Sequence, residues 1–81
     1  MTLWSNRHPS VAHFEPLFRY EHLPPALQPI SSPFHGLAVG LLNDLADGPE
    51  LSACLRKLVE AKDCAVRQVV LDNTHAANLR A

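Results

Sequence analysis

At 81 residues the chain has room for one domain, and a domain this short rarely offsets its chain entropy without disulfides, metals or partner subunits. Hydrophobic residues make up 47% of it, yet its longer apolar stretches, such as Gly36 to Leu42, fall far short of the roughly 20 residues that span a bilayer. Seven basic residues against eight acidic ones leave a net charge of −1, which speaks against a general binder of nucleic-acid polymers. An anionic ligand would have to be met by a few locally placed cations.

Residues 1–30 carry five of the seven prolines (Pro9, Pro16, Pro24, Pro25, Pro29) and no glycine. Proline removes a backbone donor and pushes its predecessor toward extended conformations, so the stretch reads as an irregular arm. One short extended piece is expected around Leu17-Phe18-Arg19-Tyr20. Trp4, Phe14, Phe18 and Tyr20 make the arm too apolar for a disordered tail, and it should pack on something. Asn6, Arg7 and His8 interrupt the opening before a signal-peptide core can form, which points to the cytosol.

At Ser31-Ser32-Pro33 the pattern changes. Ser32 suits an N-cap and Pro33 the first helical position, where its missing N–H costs nothing. Phe34, Leu37, Ala38, Leu41, Leu42 and Leu45 then recur at helical spacing. Asp47-Gly48-Pro49 ends this first helix, with Gly48 as a left-handed terminator, and Pro49 and Glu50 open the second. The short connection predicts antiparallel packing. The second helix places Leu51, Leu55, Leu58, Val59, Ala65, Val66, Val69 and Val70 on one side. Arg56, Glu60, Asp63 and Arg67 lie opposite, at spacings for Arg56–Glu60 and Asp63–Arg67 pairs. Fraying is expected beyond Asp72.

The fold class expected is therefore all-α: an antiparallel two-helix hairpin (residues 31–72) behind an N-terminal arm (1–30), with a C-terminal tail (73–81). A pair of helices buries only one seam, and the apolar width of the second exceeds what one partner covers. The surplus must meet the arm or another subunit, so Pro33 to Leu71 should be too small to stand alone and the protein should be a homo-oligomer.

Few residues suggest chemistry. His8, His13, His22, His35 and His75 include no helical pair at metal-ligand spacing, so no metal or other cofactor is expected. There is no nucleophile motif and no phosphate-cradling loop among three glycines, and enzymatic activity is not expected. Cys54 and Cys64, ten helical residues or about 15 Å apart, cannot pair, since a disulfide needs α-carbons within roughly 7 Å. Lys62 falls near the middle of the second helix's apolar stripe, where it must snorkel, find an acidic partner or meet a bound anion. Arg67 sits on the solvated side. Phe18 and Tyr20 flank Arg19, an arrangement that can stack on a base, although packing is the commoner role of such rings.

Phe18-Arg19-Tyr20-Glu21-His22-Leu23-Pro24-Pro25 is followed by Ser31-Ser32-Pro33-Phe34-His35-Gly36-Leu37-Ala38, then Asp47-Gly48-Pro49-Glu50, then Leu55 to Arg67 with Glu60-Ala61-Lys62-Asp63-Cys64-Ala65-Val66-Arg67. In this order the motifs, over about residues 17–71, resemble the small actinobacteriophage proteins that share a helical-hairpin domain with phage anti-CBASS and anti-Thoeris sponges. The resemblance implies a homo-hexamer that withholds a cyclic di- or trinucleotide, or a cyclic ADP-ribose isomer, from a defence effector without cleaving it. It implies inter-subunit pockets in which Tyr20 stacks on a base beside Phe18 and His22, while Lys62 and Arg67 contact phosphate. Relatives often carry a basic residue near the start of the first helix, where this chain has Ser31 and Ser32. There, Ser32 marks a helix N-terminus whose free N–H groups can still receive a phosphate. The rival expectation is an oligomeric protein-interaction adaptor or regulator with no nucleotide ligand.

Overall fold

The computed structural model describes the backbone of residues 3–80 and the side chains of residues 3–74. It is all-helical, with no strand among the described residues: α1 (Pro9–Ala12), α2 (Glu15–Phe18), α3 (Gln28–Asp44) and α4 (Pro49–Arg80).

The arm is more regular than its prolines suggest. Pro9 opens α1 and Pro16 falls in the first turn of α2, positions where a missing N–H costs nothing. His8 caps α1 through its ring, whose Nδ1 accepts from the Ser10 N–H at 3.1 Å. The extended piece expected over residues 17–20 is not formed. Leu17 and Phe18 are helical, and the extended backbone begins at Arg19 (φ −65°, ψ 141°). Burial of Phe18 and the Arg19–Glu15 pair across one helical turn, at 2.7 Å, override the strand preference of the aromatic residues.

α3 starts at Gln28, five residues before the expected first helical residue Pro33. Pro29 takes the role assigned to Pro33, which lies inside the helix instead. Gln28 holds the preceding loop, its Nε2 donating to Leu23 O at 2.8 Å and Glu21 O at 3.2 Å. The early start leaves Pro33 inside the helix and turns Ser31 into the interior, where its hydroxyl is buried without a partner among the described residues. α3 ends where Leu45 turns extended (φ −121°, ψ 143°). Gly48 is not left-handed, as no described residue has positive φ. Termination comes from the arm: Arg7 donates to the carbonyls of Leu42 and Leu45, the latter at 2.8 Å, satisfying acceptors that every helix end leaves open.

α4 runs unbroken through Arg80, past the expected boundary at Asp72. No proline or glycine follows Pro49, and alanines and a leucine carry the last turns. Its 32 residues correspond to about 48 Å of helix, which accounts for the 51 Å long axis of the molecule. α3 is about half as long, so the far end of α4 extends past it.

The core is built by the arm as much as by the long helices. Trp4, Val11, Phe14 and Phe18 from the arm meet Ala38 and Leu42 of α3 and Leu51 and Leu55 of α4. Phe34, Leu41, Leu58 and Val59 pack around them half-buried. Trp4 stacks on Phe18 with ring centroids 6.0 Å apart, and the Arg56 guanidinium lies 5.2 Å from the Phe14 ring centre. Arg56 therefore pairs with a ring rather than with Glu60. The ion pairs among the described residues are Arg7–Asp47, Arg19–Glu15 and Lys62–Asp63. Neither expected pair on the outer face of α4 forms. Much of the apolar surplus of α4 is thus met within one chain, while Val70 and Leu71 stay 52% and 60% exposed.

Candidate anion site

Two basic side chains of α4 and a third some forty residues earlier line one cleft of about 380 Å³ between the end of α2, the loop after it and the middle of α4. Arg19 comes from the residue that ends α2, and Lys62 and Arg67 from successive turns of α4. His22, Ser31 and the Asp63 carboxylate complete the polar lining, and Leu17, Leu23 and Val66 supply apolar wall.

Lys62 is the most constrained of the three. Its side chain is 13% exposed, as its place in the apolar stripe requires. The ammonium escapes toward the end of α2, where it donates to Leu17 O, one of the carbonyls a helix terminus leaves open. Asp63 Oδ1 lies 3.5 Å away. An ammonium has three N–H donors, so one remains for a bound anion. Arg67 is exposed, and in place of an Asp63 pair its Nη2 approaches Cys64 Sγ at 3.5 Å. Arg19 is exposed and holds its proton more firmly than usual because of the hydrogen bond and charge of Glu15.

Ser31 is the unexpected member. It is fully buried on the inner face of α3, and its Oγ is the buried side-chain polar atom without a hydrogen-bond partner among the described residues. A buried hydroxyl is normally paired, and this one lines the cleft.

His22, Lys62 and Arg67 of the expected site residues are therefore brought together, and the others are not. Phe18 is a core residue, fully buried against Trp4, and is not available to stack on a ligand. Tyr20 lies outside this cleft, half-buried, with its ring edge-on to His35 at 5.5 Å. Ser32 is half-buried, and its neighbour Ser31 takes the place facing the cleft. Glu21, beside Tyr20, has its carboxyl held below the usual carboxylate range by its own backbone N–H and that of Tyr20. Sequence reading did not assign Arg19 or Ser31 to the site. The first is set by the fold, which brings the end of α2 against α4; for the second, placing the helix start at Pro33 left Ser31 outside the helix.

Among the described residues no group of three or more His, Cys, Asp and Glu side chains could hold a metal ion, and no helix is long and apolar enough to cross a membrane. Cys54 and Cys64 are free thiols. No family model, curated protein or solved structure matches the chain.

Proposed function

We propose that this protein is a phage immune-evasion sponge, which binds a cyclic di- or trinucleotide or a cyclic ADP-ribose isomer and sequesters it intact in the cytoplasm of the infected bacterium. The observation that carries the reading is the cleft in which Arg19, Lys62 and Arg67 converge with His22 and the unpaired Ser31 hydroxyl. The cleft gathers three cations against one lining carboxylate, Asp63; Arg19 is paired with Glu15 and Lys62 with Asp63, and Arg67 has no acidic partner among the described ion pairs, so the local balance in a chain of net charge −1 favours an anion there. The volume suits a phosphate with part of a nucleoside. Catalysis plays no part: the cleft donates hydrogen bonds and charge, and withholding the signal requires only that affinity exceed that of the host effector. The chain works as an antiparallel hairpin assembled into a homo-oligomer, a hexamer by resemblance. Tyr20 of one subunit then supplies the stacking surface that the cleft of another lacks.

The test mixes the protein with cyclic dinucleotides, cyclic trinucleotides and cyclic ADP-ribose isomers, followed by heat extraction and chromatography of the released ligand. Intact signal is the expected result; degraded signal identifies an enzyme, and failure to bind any member of the panel ends the idea. Lys62→Ala should weaken binding about tenfold or more, the worth of one charge-assisted hydrogen bond. An adaptor that meets a protein partner is favoured by one observation, the exposed Val70 and Leu71 on the protruding part of α4. On that reading Lys62→Ala and Tyr20→Ala disturb partner capture, and nucleotide binding is absent from the wild type as well.

A further inference from the structure

The cleft contains a group that a site for phosphate alone would exclude. Asp63 lines it among the three cations, with a side chain 49% exposed and therefore open to a ligand. Its expected partner Arg67 has turned to Cys64, which leaves Lys62 at 3.5 Å as its cation. A phosphate entering the cleft draws on that same ammonium. The half-exposed carboxylate, solvated by water on its open side, is then left beside an anion with its partner shared, so a ligand that returns hydrogen-bond donors to it is favoured over one that does not.

Resting on the reading that the cleft binds a phosphate-bearing nucleotide, we propose that Asp63 makes the site selective for guanine. A carboxylate presents two acceptor oxygens side by side and no donor. Guanine alone among the common bases offers two adjacent donors, N1–H and the N2 amino group, which match those oxygens. Adenine turns the bare acceptor N1 toward the same place, so its lone pair meets the carboxylate's. Cytosine offers one amino group next to an acceptor, and uracil a single N–H between two carbonyls. Lys62 and Arg67 then hold the phosphate while Asp63 reads the base. The two functions come from one stretch of α4, with Lys62 and Asp63 adjacent in sequence.

Calorimetric titration of the full chain with GMP, IMP, AMP and inorganic pyrophosphate tests this. GMP should bind about tenfold to a hundredfold more tightly than AMP, the discrimination that one bidentate side-chain contact to a base edge provides. IMP, which keeps N1–H and lacks the amino group, should fall between them. Asp63→Asn exchanges one acceptor for a donor: it should collapse the GMP-to-AMP ratio toward one while pyrophosphate binds at least as tightly as before. Pyrophosphate binding with AMP equal to or tighter than GMP, or a guanine preference that survives in Asp63→Asn, overturns the selectivity and leaves the phosphate reading standing. If pyrophosphate and all three mononucleotides fail to bind, the cleft is not a phosphate site and both fall. Asp63 is on the exposed face of a continuous helix, so the variant should keep the wild-type circular dichroism spectrum, and Asp63→Glu, which restores two acceptors, should restore part of the preference.

Discussion

The arm and the α3–α4 pair divide the work of folding unequally from what their sequences advertise. The long helices announce themselves by periodicity, yet among the described residues they supply only Ala38, Leu42, Leu51 and Leu55 to the buried hydrophobic core. The arm announces only prolines, yet it contributes the same number of buried residues, three of them aromatic and larger than anything the helices place there. Local pattern therefore marks where helices form, while the identity of the large side chains decides what holds them together. A helix pair with a narrow seam is completed by a short segment that wedges Trp4, Phe14 and Phe18 against it, and a cleft arises where the end of that wedge meets α4.

Breaking the wedge should have the largest effect. Phe18→Ala removes a fully buried ring stacked on Trp4, and such truncations cost about 3–5 kcal/mol. A domain of this length is stable by only about 4–12 kcal/mol at typical per-residue values, so the variant should be largely unfolded or melt far below the wild type. Thermal melts followed by circular dichroism decide it. An arm that is merely a leader would tolerate the change within about 0.5 kcal/mol.

Arg7→Ala should act at an intermediate level and sharpens where the arm is fastened. Arg7 reaches the carbonyls of Leu42 and Leu45 and the Asp47 carboxylate, while the His8 N–H donates to the other Asp47 oxygen at 2.9 Å. Losing it leaves two helix-end carbonyls without their donor, a cost of about 1–2 kcal/mol given that water can replace part of the contact. Urea unfolding measures this directly, and hydrogen exchange should show the last turn of α3 opening first.

The same fastening should depend on acid. Asp47 has its carboxyl held below the usual carboxylate range by the His8 N–H first and by Arg7 second. The unfolded chain takes up that proton near the ordinary value of about 4, the folded chain only at lower pH. The contribution is thus fully present above about pH 4 and fades as the pH falls through the lowered folded value. Asp47→Asn should flatten the acid limb of a plot of melting temperature against pH, while the part that belongs to Glu21, lowered in the same sense, remains. Identical acid limbs in the two proteins would show that Asp47 does not fasten the arm.

Much of the all-helical architecture was legible because amphipathic spacing survives in any tertiary setting. What was not legible depends on contacts distant in sequence. The start of α3 was expected at Pro33 because Ser32 is the better local cap, whereas the helix begins at Gln28, whose side chain holds the loop at Glu21 and Leu23 through contacts that no local pattern shows. The end of α3 was assigned to Gly48 on local grounds, whereas Arg7, 35 to 40 residues earlier, supplies the cap. Lys62 was legible as an anomaly in an apolar stripe; that His22 and Arg67 line the same cleft is a matter of the fold. That Arg19 joins them while Phe18 does not follows from a single turn of helix, α2, that sends one into the core and the other to the cleft rim.

The smallest effect on stability is expected at the protruding end of α4, where it tells most about assembly. Val70 and Leu71 are more than half exposed and touch neither the arm nor α3 enough to be buried. Replacing both with Asp should shift monomer stability by no more than about 0.5 kcal/mol per site, since neither creates a cavity nor strands a buried partner. In an assembly that uses this end as a contact, the same pair of substitutions places like charges in an apolar interface and should dissociate it. Analytical ultracentrifugation separates the cases. A double variant that melts like the wild type but sediments as a smaller species shows that the arm completes the fold and the far end of α4 makes the contacts between chains. A variant that keeps the wild-type sedimentation coefficient removes this end from the interface. Any assembly must then form on a different surface, with Leu37 and Leu45 of α3, 51% and 44% exposed, as the next residues to change.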